Sequence, residues 1–177
     1  LRRVLFRSYK DTNVQSADSN IWSYHTECID TLNRTILSVV KELTYDMIAL
    51  NYSNEGFEYL HTRGWLNYNR TGQGLPLHGH GGSKISATYY INAPENCGDL
   101  ILIDPRGGVD WEKGMDGING TKHNRITPTT GTLVFFPSFM LHSVDTNRNS
   151  QPRISLTTDI STLSPSSIKY FSTLTKE

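Results

Sequence analysis

Two histidines one residue apart, His78 and His80, come after a strand-like run that begins Gly64-Trp65-Leu66-Asn67-Tyr68-Asn69. Alternate side chains of an extended chain share a face, so both imidazoles point the same way if the segment stays extended. A third, His142, comes after the apolar run Phe135-Phe136-Pro137-Ser138-Phe139-Met140-Leu141, which reads as a buried strand. Three neutral imidazoles on β elements close one face of a metal ion. Its other positions stay open for substrate and cosubstrate, as a catalytic metal requires and a structural zinc site does not. An isolated His-x-His is more often surface or core histidine than a site, so the weight falls on His142 and on the strand beyond it. Eleven residues past His142, Arg153 opens the alternating run Arg153-Ile154-Ser155-Leu156-Thr157-Thr158-Asp159-Ile160. Period two puts Arg153, Ser155 and Thr157 on one face and Ile154, Leu156 and Ile160 on the other. An arginine on the inward face needs an anionic partner, because an unpaired buried charge is costly. A carboxylate ligand meets that need with two parallel hydrogen bonds.

The elements that must position these groups are mostly strands. Trp65, Asn67 and Asn69 alternate with Leu66 and Tyr68, while Ile85, Ala87, Tyr89 and Ile91 alternate with Ser86, Thr88, Tyr90 and Asn92. Leu100–Ile103 and Gly131–Phe136 read as short apolar strands, and Arg153–Ile160 closes the set. Short strands without intervening helices predict a mainly β (α+β) fold with antiparallel sheets, a double-stranded β-helix or jelly roll of cupin-like form. Ahead of them, Ile21, Trp22, Ile29, Leu32, Ile36, Val39, Val40, Leu43 and Met47 recur at helical spacing. One or two amphipathic supporting helices are expected over 21–50, with a loop or helix cap in the polar stretch from Ser16 to Asn20. The Gly- and Asn-rich segment 105–124 is too long for an ordinary hairpin loop, so either a lid or a disordered surface insertion is expected there, with Trp111 in it favouring contact with substrate. The Ser-rich tail 163–177, with Tyr170 and Phe171, is expected to form a docking helix.

Composition narrows the function classes. With 177 residues, 36% hydrophobic, the chain has material for one core, and a single domain over 9–162 is expected, its β core over 60–160. Lys plus Arg and Asp plus Glu both number 17, which leaves no bulk electrostatic argument for nucleic acid or an anionic membrane. No apolar run approaches a bilayer span of about twenty residues and no secretory signal is present, so a cytoplasmic protein of a bacterial or phage-infected cell is expected. Cys28 and Cys97 are too few for a disulfide framework and are read as thiols. Residues 1–8 resemble a translated adapter and are expected to be a non-native leader.

Taken together, Trp65-x-Asn67, His78-x-His80, Tyr89-Tyr90-Ile91-Asn92, Gly98-Asp99-Leu100, Pro128-x-x-Gly131-x-Leu133-x-Phe135-Phe136-Pro137, His142 and Arg153-x-Ser155 stand in an order that resembles the Fe(II)- and 2-oxoglutarate-dependent oxygenases. The nearest branch is prolyl-hydroxylase-like, and within it the small oxygenases of phages and marine bacteria. The resemblance implies an Fe(II) dioxygenase that couples oxidative decarboxylation of 2-oxoglutarate to hydroxylation of an unidentified substrate, with ascorbate as an allowed reductant. It makes His78, His80 and His142 the catalytic metal ligands. Arg153, with Ser155 and Tyr90, becomes the binding site of the cosubstrate's distal carboxylate, and Asn67 a further contact. In one position the sequence departs from the superfamily: His80 stands where Asp or Glu is usual. Either a three-histidine site forms or another group completes the triad. A zinc-dependent or cupin-like three-histidine enzyme and a non-catalytic jelly-roll binding module of phage origin are the rival readings. The first has no need for an arginine at this offset, and the second needs none of the site.

Overall fold

The computed structural model describes residues 6–9, 13–16, 20–49, 58–103 and 123–163. The tail with Tyr170 and Phe171, the segment around Trp111 and the first residues of the expected leader lie outside these. Among the described residues, ten strands form two antiparallel sheets. The larger holds β1 (Phe6–Tyr9), β2 (Asn13–Ser16), β3 (Glu58–Asn69), β10 (Arg153–Leu163), β5 (Ile85–Asn92) and β8 (Leu133–Pro137), in that spatial order. In the smaller, β4 (Leu75–His78), β9 (Leu141–Val144), β6 (Leu100–Ile103) and β7 (His123–Ile126) lie side by side. The expected antiparallel jelly roll is therefore present. Strands β1 and β2 were not foreseen: Phe6, Arg7 and Ser8 of the expected leader pair with Ser16, Gln15 and Val14, and β2 extends the sheet beyond β3.

At the centre of the larger sheet, β10 pairs with β3 on one side and β5 on the other. Its two faces have opposite chemistry, as period two requires. Leu156 and Ile160 join Ile21, Trp22, Ile36 and Val40 in an apolar cluster on the outer face, with Leu66 and Ile85 packed against it. Removing each such side chain from water contributes about 1.5–3 kcal/mol. The helix that covers this face is α1 (Glu27–Ala49), and it starts later than the sequence pattern suggested. Thr26 caps it, its hydroxyl accepting from the Ile29 amide at 3.4 Å, with Glu27 and Asp30 in the positive first turn.

Residues Ile21–Ser23 form a separate turn of 3-10 helix because Trp22 is held by the sheet rather than by α1. The Trp22 indole donates to Thr158 Oγ1 at 3.1 Å and stacks on the His61 ring with centroids 4.0 Å apart. Gly64 makes room for this, since a Cβ there would collide with the indole. Among the described side chains of α1 the packed stripe reaches Val40; Leu43, assigned to it by spacing, is exposed.

The same junction makes stability depend on pH. Thr158 Oγ1 donates to the Arg63 carbonyl and also lies 2.7 Å from His61 Nδ1, so His61 donates there as a neutral imidazole. Burial, opposed by a backbone bond at Asn33, pushes the His61 pKa down to about 4. Between about 6.5 and 4 the unfolded chain then binds a proton that the folded chain refuses, so stability falls as pH drops through that window. The urea midpoint of the metal-free protein is expected to be lower at pH 4.5 than at pH 7.5. His61→Phe should narrow the gap between the two midpoints, and an unchanged gap would contradict this assignment.

Candidate metal and cosubstrate site

Between the inner faces of the two sheets lies a pocket that is partly open to solvent. The larger sheet contributes Trp65 and Asn67 from β3, Arg153, Ser155 and Thr157 from β10, and Thr88 and Tyr90 from β5. From the smaller come Leu75, His78, Leu100, His142 and Val144, and His80 lies just past the end of β4. All seven residues singled out from the sequence thus line one cavity.

Register explains how two distant histidines meet. His78 on β4 is directly opposite His142 on β9, and Leu75 is opposite Val144. Two steps along β9 therefore match three along β4, and the extra residue is a β-bulge. The bulge turns Leu75 and His78, which strict alternation would place on opposite faces, into the same cavity. Ring centroids lie 4.2 Å apart for His78 and His142, 4.9 Å for His80 and His142, and 5.3 Å for His78 and His80. One ligating atom from each lies within 4.8 Å of the others.

Each imidazole has its Nδ1 engaged. His78 Nδ1 donates to the Pro76 carbonyl at 2.8 Å and His142 Nδ1 to the Met140 carbonyl at 3.1 Å, in both cases two residues back along the chain. His80 Nδ1 lies 2.7 Å from Asp159 Oδ1 and 3.1 Å from Ser86 Oγ. A carbonyl can only accept, so His78 and His142 carry their proton on Nδ1 and present the Nε2 lone pair. Burial, with repulsion from His78 and His80, pushes the His142 pKa down to about 4, and burial lowers that of His78. Both are neutral near pH 7. Neutral imidazoles with Nε2 free are a donor set that suits divalent iron or zinc.

Arg153 is 2% exposed. Its Nη1 donates to the Cys97 and Gly98 carbonyls at 3.1 and 3.2 Å, and Nη2 to Asn69 Oδ1 at 2.9 Å. Three of the five guanidinium donors are thereby satisfied by neutral oxygens. Among the described residues no carboxylate pairs with it. Burial lowers its pKa, with Tyr90, Cys97 and Asp145 acting in the opposite direction. Gly98 is required at its position, with φ of 94° and a backbone so close to the Asp145 carbonyl that a Cβ would collide. Asn147, fully buried, ties the approach to β10 together, donating to the Asn69 and Gln151 carbonyls at 3.0 and 2.9 Å.

Tyr90 stands opposite Ser155 across β5 and β10, and burial pushes its phenol up to about 12, so it is a neutral donor. Asn67, also opposite Ser155 but on β3, donates to Thr157 Oγ1 at 2.9 Å and accepts from Gln15 Nε2 at 3.0 Å. Sequence reasoning missed Asp159, Ser86 and Gln15. Asp159 continues the inward face of Arg153, Ser155 and Thr157 and was legible from the same period; Gln15 had no such signal.

A family profile described as "Putative 2OG-Fe(II) oxygenase" matches residues 63–159, more than half of the chain. No curated protein sequence matches it. Among solved structures, an oxidoreductase of the 2OG-Fe(II) oxygenase family from Burkholderia pseudomallei is 15% identical with a TM-score of 0.51, covering 90% of this chain and 66% of its own. A prolyl-4-hydroxylase from Pseudomonas putida is 16% identical with a TM-score of 0.53, over 85% of this chain and 71% of that one. The non-heme alpha ketoglutarate dependent carbocyclase SnoK from nogalamycin biosynthesis is 11% identical with a TM-score of 0.62, over 90% and 68%. This chain thus spans about two thirds of the length of these structures, which share its fold. By the profile match, the chain belongs to the 2OG-Fe(II) oxygenase family, oxygenases that use Fe(II), 2-oxoglutarate and dioxygen.

Proposed function

We propose that His78, His80 and His142 hold Fe(II) and that Arg153 binds the distal carboxylate of 2-oxoglutarate, in an enzyme that hydroxylates its primary substrate. The observation that carries this reading is the buried Arg153 guanidinium, which meets only neutral oxygens on the wall of the cavity that the three histidines also line. An unpaired buried cation costs several kcal/mol, and a dicarboxylate cosubstrate supplies the missing charge. The two donors that Arg153 has left match a bidentate carboxylate. Tyr90, Ser155 and Asn67 surround that end of the cosubstrate, the neutral Tyr90 phenol being a donor to carboxylate oxygen.

When bound, Fe(II) would supply dioxygen activation, with 2-oxoglutarate as the two-electron reductant that leaves as succinate and carbon dioxide. The chain's own part is geometric. His78 and His142 present Nε2 from rigid, paired strands, and Arg153 fixes the far end of the cosubstrate from the opposite sheet. Leu75, Leu100 and Val144 give the cavity an apolar wall on the smaller sheet. The likeness to a prolyl-4-hydroxylase makes a prolyl peptide the first substrate class to assay.

Replacing His142 by Ala is expected to abolish stoichiometric Fe(II) binding while circular dichroism stays native. Retention of one iron per chain would remove the proposed ligand set. Arg153→Lys keeps the charge but loses the planar fork, so 2-oxoglutarate should bind the manganese-loaded protein more weakly by about 1.5–3 kcal/mol. Metal binding should be unaffected. Calorimetry of wild type, Arg153→Lys and Arg153→Ala gives the decision. Absence of saturable 2-oxoglutarate binding to wild type would favour the zinc or binding-module readings, and equal binding by Arg153→Ala would move the cosubstrate elsewhere.

A further inference from the structure

His78 and His142 are oriented by carbonyls two residues back along the chain, a local arrangement. His80 lies past the end of β4, between Gly79 and Gly81, and among the described residues its Nδ1 meets Asp159 and Ser86 rather than a carbonyl. Asp159 comes from 79 residues further along the chain and is fully buried. Its two oxygens face different groups. Oδ2 accepts from Arg63 Nε at 3.1 Å and Nη2 at 2.5 Å, and Oδ1 accepts from Ser86 Oγ at 2.8 Å and lies 2.7 Å from His80 Nδ1.

The protons in this cluster run one way. Ser86 spends its hydroxyl proton on Asp159, so Ser138, whose Oγ is 3.0 Å from that of Ser86, must donate to Ser86. With Arg63, Ser86 and His80 all converging on it, the carboxylate is an acceptor throughout. Pairing with Arg63 alone does not account for the burial. The Arg63 side chain is 47% exposed, and a carboxylate could meet it at the surface without giving up its hydration.

We propose that Asp159 is a positioning residue for the metal site: its buried carboxylate, anchored by Arg63 and Ser86, fixes His80 as the Nδ1–H tautomer and aims Nε2 at the space shared with His78 and His142. This rests on the three-histidine reading and deepens it. The carboxylate that most of the superfamily, by the resemblance, uses as a ligand is here one residue further out, acting through an imidazole. It orients the ring and makes it a stronger electron donor.

The first test needs no variant. Nitrogen-15 correlation spectra of the metal-free protein, with His80 assigned by its loss in His80→Gln, should show the His80 proton on Nδ1. A proton on Nε2 would overturn the proposal even if every variant failed to fold. The second test titrates Mn(II), a redox-silent stand-in for Fe(II), into wild type, Asp159→Asn, His80→Ala and the double variant. Asp159→Asn, nearly isosteric, should bind about 10- to 100-fold more weakly. The double variant should lose no more than His80→Ala alone, because Asp159 acts through His80. Wild-type affinity in Asp159→Asn, or losses that add in the double variant, would overturn the assignment. Wild type that takes up no Mn(II) at all would instead defeat the three-histidine reading, with the tautomer result still reporting on the His80–Asp159 contact.

Discussion

A guanidinium shut away from water, with no carboxylate among the described residues to answer it, is the constraint on which the rest of the structure turns. Arg153 tolerates its burial because three backbone or amide oxygens are delivered to it, and each delivery has its own cause. Gly98 lets two backbones approach more closely than any other residue allows. Asn69 sits opposite Arg153 in the β3–β10 register, and Asn147 pins the backbone of Asn69. These bonds satisfy donors without neutralising charge. Neutral oxygens lower the cost of the buried cation and leave an attraction for an anion in the cavity, the combination a binding site needs.

The other end of the cavity depends on strand register rather than on charge. One extra residue in β4 turns His78 towards His142, and the hydrogen bond of each Nδ1 leaves the Nε2 lone pair free. Strand β10 links the two ends. Arg153 stands at its start and Asp159, six residues on, at the far end of the same inward face, with Ser155 and Thr157 between. A rigid central strand therefore sets the spacing between the cation that would take a carboxylate and the carboxylate that meets a histidine. Its outer face, Leu156 and Ile160 against Trp22, Ile36 and Val40, holds that strand in place.

Much of this was legible in the sequence because strand alternation is a strict code. The inward sets Trp65-Asn67-Asn69, Thr88-Tyr90 and Arg153-Ser155-Thr157 come from period two alone, and the chain's mainly β character comes from the same signal. Asp159 obeys that code too, yet an aspartate at the far end of the strand draws no notice until the fold brings it against His80. Other features were not legible in principle. The bulge in β4 is a relation between two strands. The separate 3-10 turn ahead of α1 carries Trp22, whose bond to Thr158 joins residues 136 apart in the chain. Strands β1 and β2 are four residues each, too short to show a periodicity of their own.

With iron held by the three histidines and the cosubstrate by Arg153, the two ends of the cavity would serve one reaction, an Fe(II)-dependent oxidation driven by 2-oxoglutarate. Turnover without a primary substrate tests this most directly. Purified protein supplied with Fe(II), 2-oxoglutarate and dioxygen should release succinate and carbon dioxide in equal amounts, and the release should stop when iron is chelated or dioxygen withheld. Iron-loaded, folded protein that yields no succinate, with or without candidate prolyl peptides, would contradict the account.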